Sequence, residues 1–203
     1  MPKLDLKKEF RELYAPSAKT CSVVDVPELR FLMVDGAGDP NTAQAYREAV
    51  EALYGVSYTL KFLGKAQGTD YVVMPLEGLW WVDDMTEFSM EDKAAWSWTA
   101  MIAQPAHLTE ADVEAAIDQL RDGKNPTALD QVHFDSYAEG LSVQILYFGP
   151  YADEAPTIGR LHEFAADSGY ALRGKHHEIY LSDPRRTAPE RLKTVIRQPV
   201  EVS

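Results

Sequence analysis

The sequence predicts an α+β fold, a tandem pair of strand–helix–strand–strand modules whose antiparallel sheets form a central ligand groove. Two segments with apolar residues at helical spacing, 41–64 and 154–167, each lie between one strand-like segment and two further ones. The strand-like segments alternate apolar and polar residues, as strands do in sheets that helices cover on one face. We therefore expect a single domain over residues 1–203, with internal repeats at about 22–105 and 130–203 related by pseudo-twofold symmetry.

Turn residues divide the chain into its individual elements. A short helix is expected around 7–14, followed by strands at 21–26 and 29–34 that a turn at Pro27 separates. Asn41 is expected to cap the first long helix. The later elements are, in chain order, strands at 71–76, 79–82 and 96–103, a helix started by a Thr109–Asp112 capping box, a hairpin of strands 131–137 and 141–148 around Glu139-Gly140, the second long helix ended by Gly169, and strands at 175–181 and 192–200.

Charge and composition exclude several classes of function. The 20 Lys and Arg against 32 Asp and Glu leave a net charge of −12, which repels nucleic-acid backbones. No apolar segment approaches the roughly 18 residues of a membrane span, so neither a nucleic-acid nor a membrane partner is expected. The single Cys21 excludes an internal disulfide and a multi-cysteine zinc site, and it fits a reducing, cytoplasmic location. The oligomeric state stays open, and a monomer is compatible with the sequence.

A candidate binding carboxylate lies on the strand predicted at 175–181. Strand alternation places His176, Glu178 and Tyr180 on one face, and the aliphatic Ile179 takes the other. If the aliphatic face packs on the helices, Glu178 and Tyr180 point into the groove, where apolar surroundings raise the pKa of a carboxyl group. Such a group binds a cation, accepts a hydrogen bond or acts as an acid or base. The alternative is a solvated glutamate on the sheet face, paired with a lysine.

Aromatic residues are the second candidate feature. Trp80 and Trp81 are adjacent and point to opposite faces of a strand. Trp96 and Trp98 are two apart and share a face. Ring walls bind flat or cationic ligands with about 0.5–2 kcal/mol per ring, and the alternative is that these rings belong to the core. Further rings lie on neighbouring predicted strands: Tyr71, Tyr137, Tyr147 and Phe148.

The histidines do not form a metal-ligand pattern. His176 and His177 are adjacent and therefore face opposite sides of a strand. The other three histidines lack a carboxylate partner at ligand spacing, and no Gly-x-Ser-x-Gly nucleophile motif is present. We therefore expect no metal and no cofactor. Cys21 lies in an apolar strand segment and is not expected to be a catalytic thiol.

The C-terminal segment resembles a known family. Residues 176–186, HHEIYLSDPRR, and 189–197, PERLKTVIR, are similar to the GyrI-like small-molecule-binding family, and more narrowly to its stand-alone subfamily without a DNA-binding domain. The likeness extends over nearly the whole chain from about residue 22. Shorter matching segments are PLEGLWW at 75–81, MIAQP at 101–105, EGLSVQ at 139–144, and the Gly149-Pro150-Tyr151 turn with Glu154.

This resemblance implies the tandem-module fold and a small-molecule ligand. In related effector domains a glutamate on a late strand meets cationic drugs at the bottom of an aromatic cleft, a role that falls on Glu178 by its place in the Glu-Ile-Tyr segment. The first function implied is therefore the binding of bulky, flat hydrophobic or cationic xenobiotics, as in multidrug binders. The residues expected to line the cleft are Glu178, Tyr180, Trp80, Tyr137, Tyr147, Glu77 and Trp98.

Some members of the stand-alone subfamily imply an alternative function, hydrolysis of the cyclopropane in DNA-alkylating natural products. An aromatic cage would hold the alkylator, Glu178 or Glu77 would position a water, and a tyrosine such as Tyr137 would polarise the developing oxyanion. A third alternative is a ligand-sensing partner in transcription or a modulator of gyrase. That role would need a partner protein, because the chain shows no helix-turn-helix and no basic patch.

Overall fold

A computed structural model describes residues 3–89 and 92–203 of the chain. The described residues form helices and antiparallel strands, as the α+β prediction requires. The helices are α1 (Leu6–Glu9), α2 (Arg11–Tyr14), α3 (Gln44–Ala66), α4 (Glu110–Arg121) and α5 (Ala155–Asp167), and the strands are β1 (Ser22–Ala37), β2 (Leu76–Trp81), β3 (Ser97–Gln104), β4 (His133–Phe148), β5 (Tyr170–Leu172), β6 (His176–Tyr180) and β7 (Lys193–Val202).

Six of these strands close into a barrel. Hydrogen-bonded neighbours follow the order β4-β1-β3-β2-β6-β7, and β4 also pairs with β7, which closes the ring. All of these pairings are antiparallel. The short strand β5 extends the sheet at the C-terminal end of β7. The antiparallel sheet that the sequence predicts therefore forms a closed, barrel-like groove.

The element order repeats along the chain. Strand β1, helix α3 and strands β2 and β3 come first, and strand β4, helix α5 and strands β6 and β7 follow in the same order. Helix α4 lies between the two sets, and β5 is inserted before β6. The two sets meet where β1 pairs with β4 and where β2 pairs with β6. The pseudo-twofold relation between them stays a prediction.

The hairpin predicted around Glu139-Gly140 is wrong, because β4 continues through both residues as one strand of 16 residues. Gly140 has a φ of 70°, the left-handed value that turns also use. The turn predicted at Pro27 likewise lies inside β1. The two sites face each other, since Val26 pairs with Gly140 and the ladder then skips one residue pair. A proline without an N–H and a glycine thus mark an interruption in one ladder and not two chain reversals.

Two other boundaries differ from the prediction, and one helix start is confirmed. Helix α3 begins after Ala43 without a side-chain cap, and Asn41 instead donates to the Asp39 carboxylate at 2.8 Å. The strand predicted at 79–82 is part of β2, whereas most of the strand predicted at 71–76 is not formed, since residues 72–75 lie outside any strand and Tyr71 makes only an isolated bridge to Leu4. The Thr109–Asp112 capping box is confirmed at the start of α4.

The two long helices cover the barrel with their apolar stripes. Helix α3 buries Ala49, Leu53 and Val56, at the spacing of one helix face, and contacts β1 and β3. Helix α5 buries Ile158 and Leu161 and contacts β4, β5 and β7. None of the described helices combines the length and the apolar character that a membrane span requires.

Two glycines make room for tryptophan rings on the sheet, and one of them gives a first prediction. A Cβ at Gly36 would overlap the ring of Trp98, which is 1% exposed and packs against Tyr46. Gly36→Ala is therefore expected to lower the free energy of unfolding by about 1–3 kcal/mol, measured by urea denaturation. The control is Gly159→Ala in α5, where no atom lies within 4 Å of the new Cβ. It should be neutral or stabilise by up to about 1 kcal/mol, and equal stability of both variants would contradict the proposed overlap.

Candidate functional site

Strand β6 carries two different polar clusters on its two faces. Glu178 pairs with Gly78 of β2 and His176 pairs with Trp80, so these four residues share one face. His177 lies between them along the strand and faces the other side. The adjacent histidines thus face opposite sides, as the alternation predicts, and each contacts a different carboxylate.

The first cluster, which we call the Glu178 cluster, consists of Glu178 and the side chains of His176, Tyr180 and Glu154. The Nε2 of His176 lies 3.2 Å from Oε1 of Glu178, and the Tyr180 hydroxyl donates to Oε2 at 2.7 Å. Glu154 directly precedes α5 and adds a carboxyl group that hydrogen bonds to Glu178. Glu178 is 4% exposed, so donors enclose this carboxylate and it does not open directly to solvent.

The two carboxyl groups of the Glu178 cluster differ in protonation. Burial, and after it the charge of Glu178, raise the pKa of Glu154 to about 10. Burial also disfavours the charged form of Glu178, but hydrogen bonds from His176, Tyr180 and Glu154 hold its pKa below the ordinary value. The raised pKa expected for Glu178 is thus found at Glu154 instead. At neutral pH an acid and a carboxylate lie side by side.

Aromatic rings adjoin this carboxyl pair. Trp80 and Trp98 pair across β2 and β3, and Tyr46 of α3 packs on both, with ring centroids 5.6 and 5.1 Å away. Trp96 lies 5.4 Å from Trp80, and Phe88 stacks on Trp96 at 4.9 Å. We call these five residues the ring cluster. Its three tryptophans are at most 2% exposed, so the rings are closed over one another.

A cavity of about 390 Å³ lies beside the ring cluster. Phe88 and His176 both border this cavity, so it reaches the ring cluster on one side and the Glu178 cluster on the other. Its volume is within the range of small-molecule sites. Apolar side chains in the rest of the wall include Met85 and Leu172, and polar ones include His162, Arg173 and Gln198.

The opposite face of β6 holds a buried hydrogen-bonded network, the His177 network. The Nε2 of His177 lies 3.0 Å from Glu77, and its Nδ1 lies 3.0 Å from both oxygens of Glu139. Tyr14 of α2 donates to Glu77 at 2.9 Å, and Arg197 of β7 donates to Glu139 at 3.1 Å. All five side chains are buried, so this network ties the N-terminal segment to four strands of the barrel.

Charge pairing dominates the His177 network. Burial favours the neutral forms, yet the charges of His177 and Arg197 lower the pKa of Glu139 to about 2. Burial also opposes the charged imidazole, but the charge of Glu139 and hydrogen bonds to Glu139 and Glu77 raise the pKa of His177 to about 9. Both ring nitrogens of His177 are engaged, which is the arrangement of a structural ion network. Within residues 3–89 and 92–203, no group of three or more His, Cys, Asp or Glu side chains is placed to hold a metal ion.

The structure brings four of the predicted site residues together. Glu178, Tyr180, Trp80 and Trp98 lie on one face of the sheet, in or next to the Glu178 cluster. Glu77 does not join them, because neighbouring residues of β2 face opposite sides and Glu77 contacts His177.

The two predicted tyrosines of β4 lie apart from this group. Tyr137 pairs with Leu29 of β1, and the charges that act on its hydroxyl are those of Glu139, Arg173 and Arg197, which places it near the His177 network. Tyr147 is on the face of Glu178 but two strands away, and its hydroxyl donates to the carbonyl of Pro150 at 3.0 Å.

Five residues of the Glu178 cluster and the ring cluster were not among those predicted to line the cleft: His176, Glu154, Tyr46, Phe88 and Trp96. His176 shares the face of Glu178, so strand alternation already contained the signal for it. Glu154 follows the Gly149-Pro150-Tyr151 turn at a helix start, and that position alone does not indicate which strand the carboxyl group meets. Tyr46 is a partly buried residue of α3 that packs against the core, and its spacing does not separate a site residue from a core residue.

Known proteins share the fold of this chain. The model of a family described as the GyrI-like small molecule binding domain matches residues 19–201. The structure of an uncharacterized conserved protein from Listeria innocua is 39% identical with a TM-score of 0.91, covering 98% of this chain and 100% of that one. A hydrolase from Listeria innocua is also 39% identical, with a TM-score of 0.87 and the same coverage. The EcmrR C-terminal domain shares only the fold, at 13% identity and a TM-score of 0.57 over 91% of this chain and 98% of that one. No curated protein matches the chain.

Proposed function

The chain belongs to the GyrI-like small-molecule-binding family, and from this premise we propose that it binds bulky, flat hydrophobic or cationic molecules between the ring cluster and the adjoining cavity. The observation that carries the proposal is a buried, ionised carboxylate, Glu178, next to packed aromatic rings and a cavity of about 390 Å³. The carboxylate and the ring faces attract a cation, and the rings stack on a flat apolar ligand.

Unpaired polar atoms in the ring cluster support a ligand at this place. The indole Nε1 atoms of Trp80 and Trp98 are buried and have no hydrogen-bond partner among the described residues. A buried donor without a partner is unfavourable, and a ligand acceptor or an accompanying water would satisfy it. We therefore expect ligands that carry a hydrogen-bond acceptor on a flat apolar body.

The position of the site also agrees with a tandem-module fold. Glu178 and Gly78 pair at the junction of β6 and β2, the equivalent strands of the two proposed repeats. We propose that the repeats, about 22–105 and 130–203, are related by a pseudo-twofold axis near this junction. A ligand there would contact both repeats and gain rings from one and carboxyl groups from the other.

A dye titration tests the binding proposal. The wild-type protein is expected to bind rhodamine 6G, a flat cationic dye, and to raise its fluorescence anisotropy. Trp80→Leu should weaken the affinity by about 2–30-fold, the effect of one ring. Trp81→Leu is the matched control, because Trp81 faces the other side of β2 and packs against Lys175, with Nζ 3.3 Å from the ring centroid. No binding by the wild type, or the same loss in both variants, would contradict the proposal.

Hydrolysis of cyclopropane-bearing alkylators is the second candidate function. The specific observation in its favour is the protonated Glu154 beside the ionised Glu178, since a pair with divided pKa values can supply an acid and a base at one site. Two similar structures, 39% and 38% identical over 98% of this chain, are described as hydrolases. Tyr137 and Glu77, expected to share in the reaction, lie near or in the His177 network, so we propose the step without them.

The proposed reaction opens a cyclopropane fused to a conjugated ketone. The oxygen of a water bonds to the ring methylene carbon while the adjacent C–C bond breaks. The electron pair of that bond moves through the conjugated system to the ketone oxygen, which takes the proton of Glu154. The water loses one proton to a basic group of the Glu178 cluster, and the products are an alcohol and a phenol. Transfer of that proton back to Glu154 restores the site.

A turnover assay separates the two functions. The wild-type protein is incubated with a spirocyclopropyl-dienone alkylator, and the hydrated product is followed by liquid chromatography. A rate above that in buffer supports the hydrolase function. A rate equal to that in buffer, together with dye binding, would support the binding function and contradict the hydrolase function.

A further inference from the structure

Glu178 itself is not the group that the cavity exposes. His176, Tyr180 and Glu154 all hydrogen bond to it, and it is absent from the cavity wall. His176, by contrast, borders the cavity and holds Glu178 through its Nε2. A water or ligand that occupies the cavity therefore meets the imidazole before it meets the carboxylate.

Hydrogen-bond chemistry selects one tautomer of a neutral imidazole at this position. An ionised carboxylate only accepts hydrogen bonds, so a neutral ring at His176 carries its proton on Nε2 to donate to Glu178. Its Nδ1 is then an unprotonated acceptor. That nitrogen is buried and has no hydrogen-bond partner among the residues that the structure describes, so a donor from the cavity would complete it.

The neighbouring side chains do not supply that donor. The ring of Phe88 lies 5.9 Å from the imidazole, centroid to centroid, and is apolar. Arg173 donates to the carbonyls of Val200 and Glu139. His162 of α5 contributes a second buried nitrogen, Nε2, that also has no partner within the described ranges.

From this geometry we propose that His176 is the general base of the hydrolysis proposed above, on which this inference rests. Its Nδ1 takes a proton from a cavity water as the water oxygen attacks the cyclopropane carbon. Glu178 accepts from Nε2–H, holds the ring in this tautomer and stabilises the imidazolium that forms. The proton then returns from the imidazolium to the Glu154 carboxylate, which gave its own proton to the ketone oxygen. Glu178 is thus a positioning residue, and His176 touches the reacting water.

The test compares two substitutions at position 176. Glutamine in His176→Gln keeps an N–H donor near Glu178 and removes the proton acceptor, so kcat for the spirocyclopropyl-dienone alkylator should fall by about 10²–10⁴-fold with KM within about threefold. His176→Ala should lose kcat to a similar extent, and added imidazole should restore part of it, which a structural role would not explain. His133→Gln, at an exposed histidine beside Asp35, is the control and should keep wild-type kinetics. Thermal melts show that each variant is folded.

Each outcome decides between the two proposals. Wild-type turnover with His176→Gln within about threefold of it overturns this inference and leaves the hydrolase function intact. No wild-type turnover overturns both, and dye binding then still reports on the binding function. A loss of turnover that appears only in KM, or that imidazole does not restore, also overturns the role of base. ¹⁵N NMR of the free protein adds a readout without substrate: a His176 ring protonated on Nδ1 and not on Nε2 overturns the inference, and the Nε2–H tautomer supports it.

Discussion

Glu139→Ala is expected to lower the free energy of unfolding by about 3–5 kcal/mol, the largest effect that we predict for stability. The substitution removes the carboxylate that His177 and Arg197 share, at 3.0 and 3.1 Å. Both cations are at most 2% exposed, so water cannot replace the lost partner. The pKa of Glu139, held at about 2, shows how strongly these charges favour its ionised form. Urea denaturation followed by tryptophan fluorescence measures the difference.

An exposed glutamate provides the control for this prediction. Glu28 lies on β1, opposite Ala138 and next to the same ladder interruption, but its side chain faces solvent. Glu28→Ala is expected to change the free energy of unfolding by less than about 0.5 kcal/mol. A loss below about 1 kcal/mol in Glu139→Ala would show that the His177 network does not hold the barrel together.

Glu178→Gln is expected to weaken rhodamine 6G binding by at least about tenfold, or about 1.4 kcal/mol, whereas Glu154→Gln should stay within about threefold. Glu178 is ionised, so Glu178→Gln removes the negative charge that attracts the cation. Glu154 has a pKa of about 10 and is already neutral at pH 7. Glu154→Gln therefore leaves the net charge of the site unchanged, and the new amide still offers an N–H to Glu178. Anisotropy titrations at two salt concentrations measure both affinities.

The two substitutions are a matched pair, because both replace one carboxyl oxygen by nitrogen in adjoining groups. An equal loss of affinity in both variants would mean that the charge is shared and not held on Glu178. Unchanged affinity in Glu178→Gln would remove the electrostatic role from the binding proposal. Turnover should respond differently from dye binding. Glu154→Gln removes the proposed acid, so it should lower the rate of hydrolysis although it leaves dye binding intact.

Strand periodicity is the property that the sequence predicts best in this protein. The side-chain period of a strand is two residues and depends only on the backbone, so the residue spacing alone places His176, Glu178 and Tyr180 on a shared face. The same local rule separates Trp80 from Trp81. The capping box of α4 and the left-handed glycine after α5 are likewise local signals, and the structure has both.

Two turn signals led to wrong predictions, because the same residue types occur both in turns and in interrupted strand ladders. Glycine with a positive φ and proline without an N–H are typical of turns, but Gly140 and Pro27 interrupt a long ladder instead. Local sequence does not separate the two cases, because the choice depends on which strand lies opposite. Here β1 and β4 pair with each other over more than ten residue pairs, and this pairing outweighs the turn preference at one position.

Composition and residue period belong to the chain alone, and they were enough to predict the α+β fold class and the face of β6 that carries Glu178, while the matching segments carried the family resemblance. Which carboxyl groups meet depends on the three-dimensional structure. It places Glu154 against Glu178, whereas Glu77 lies against His177 and Tyr14, residues 100 and 63 positions away in the chain. Burial in the closed barrel then determines which carboxyl groups are ionised. An acid buried beside another acid keeps its proton, and one buried beside cations loses it.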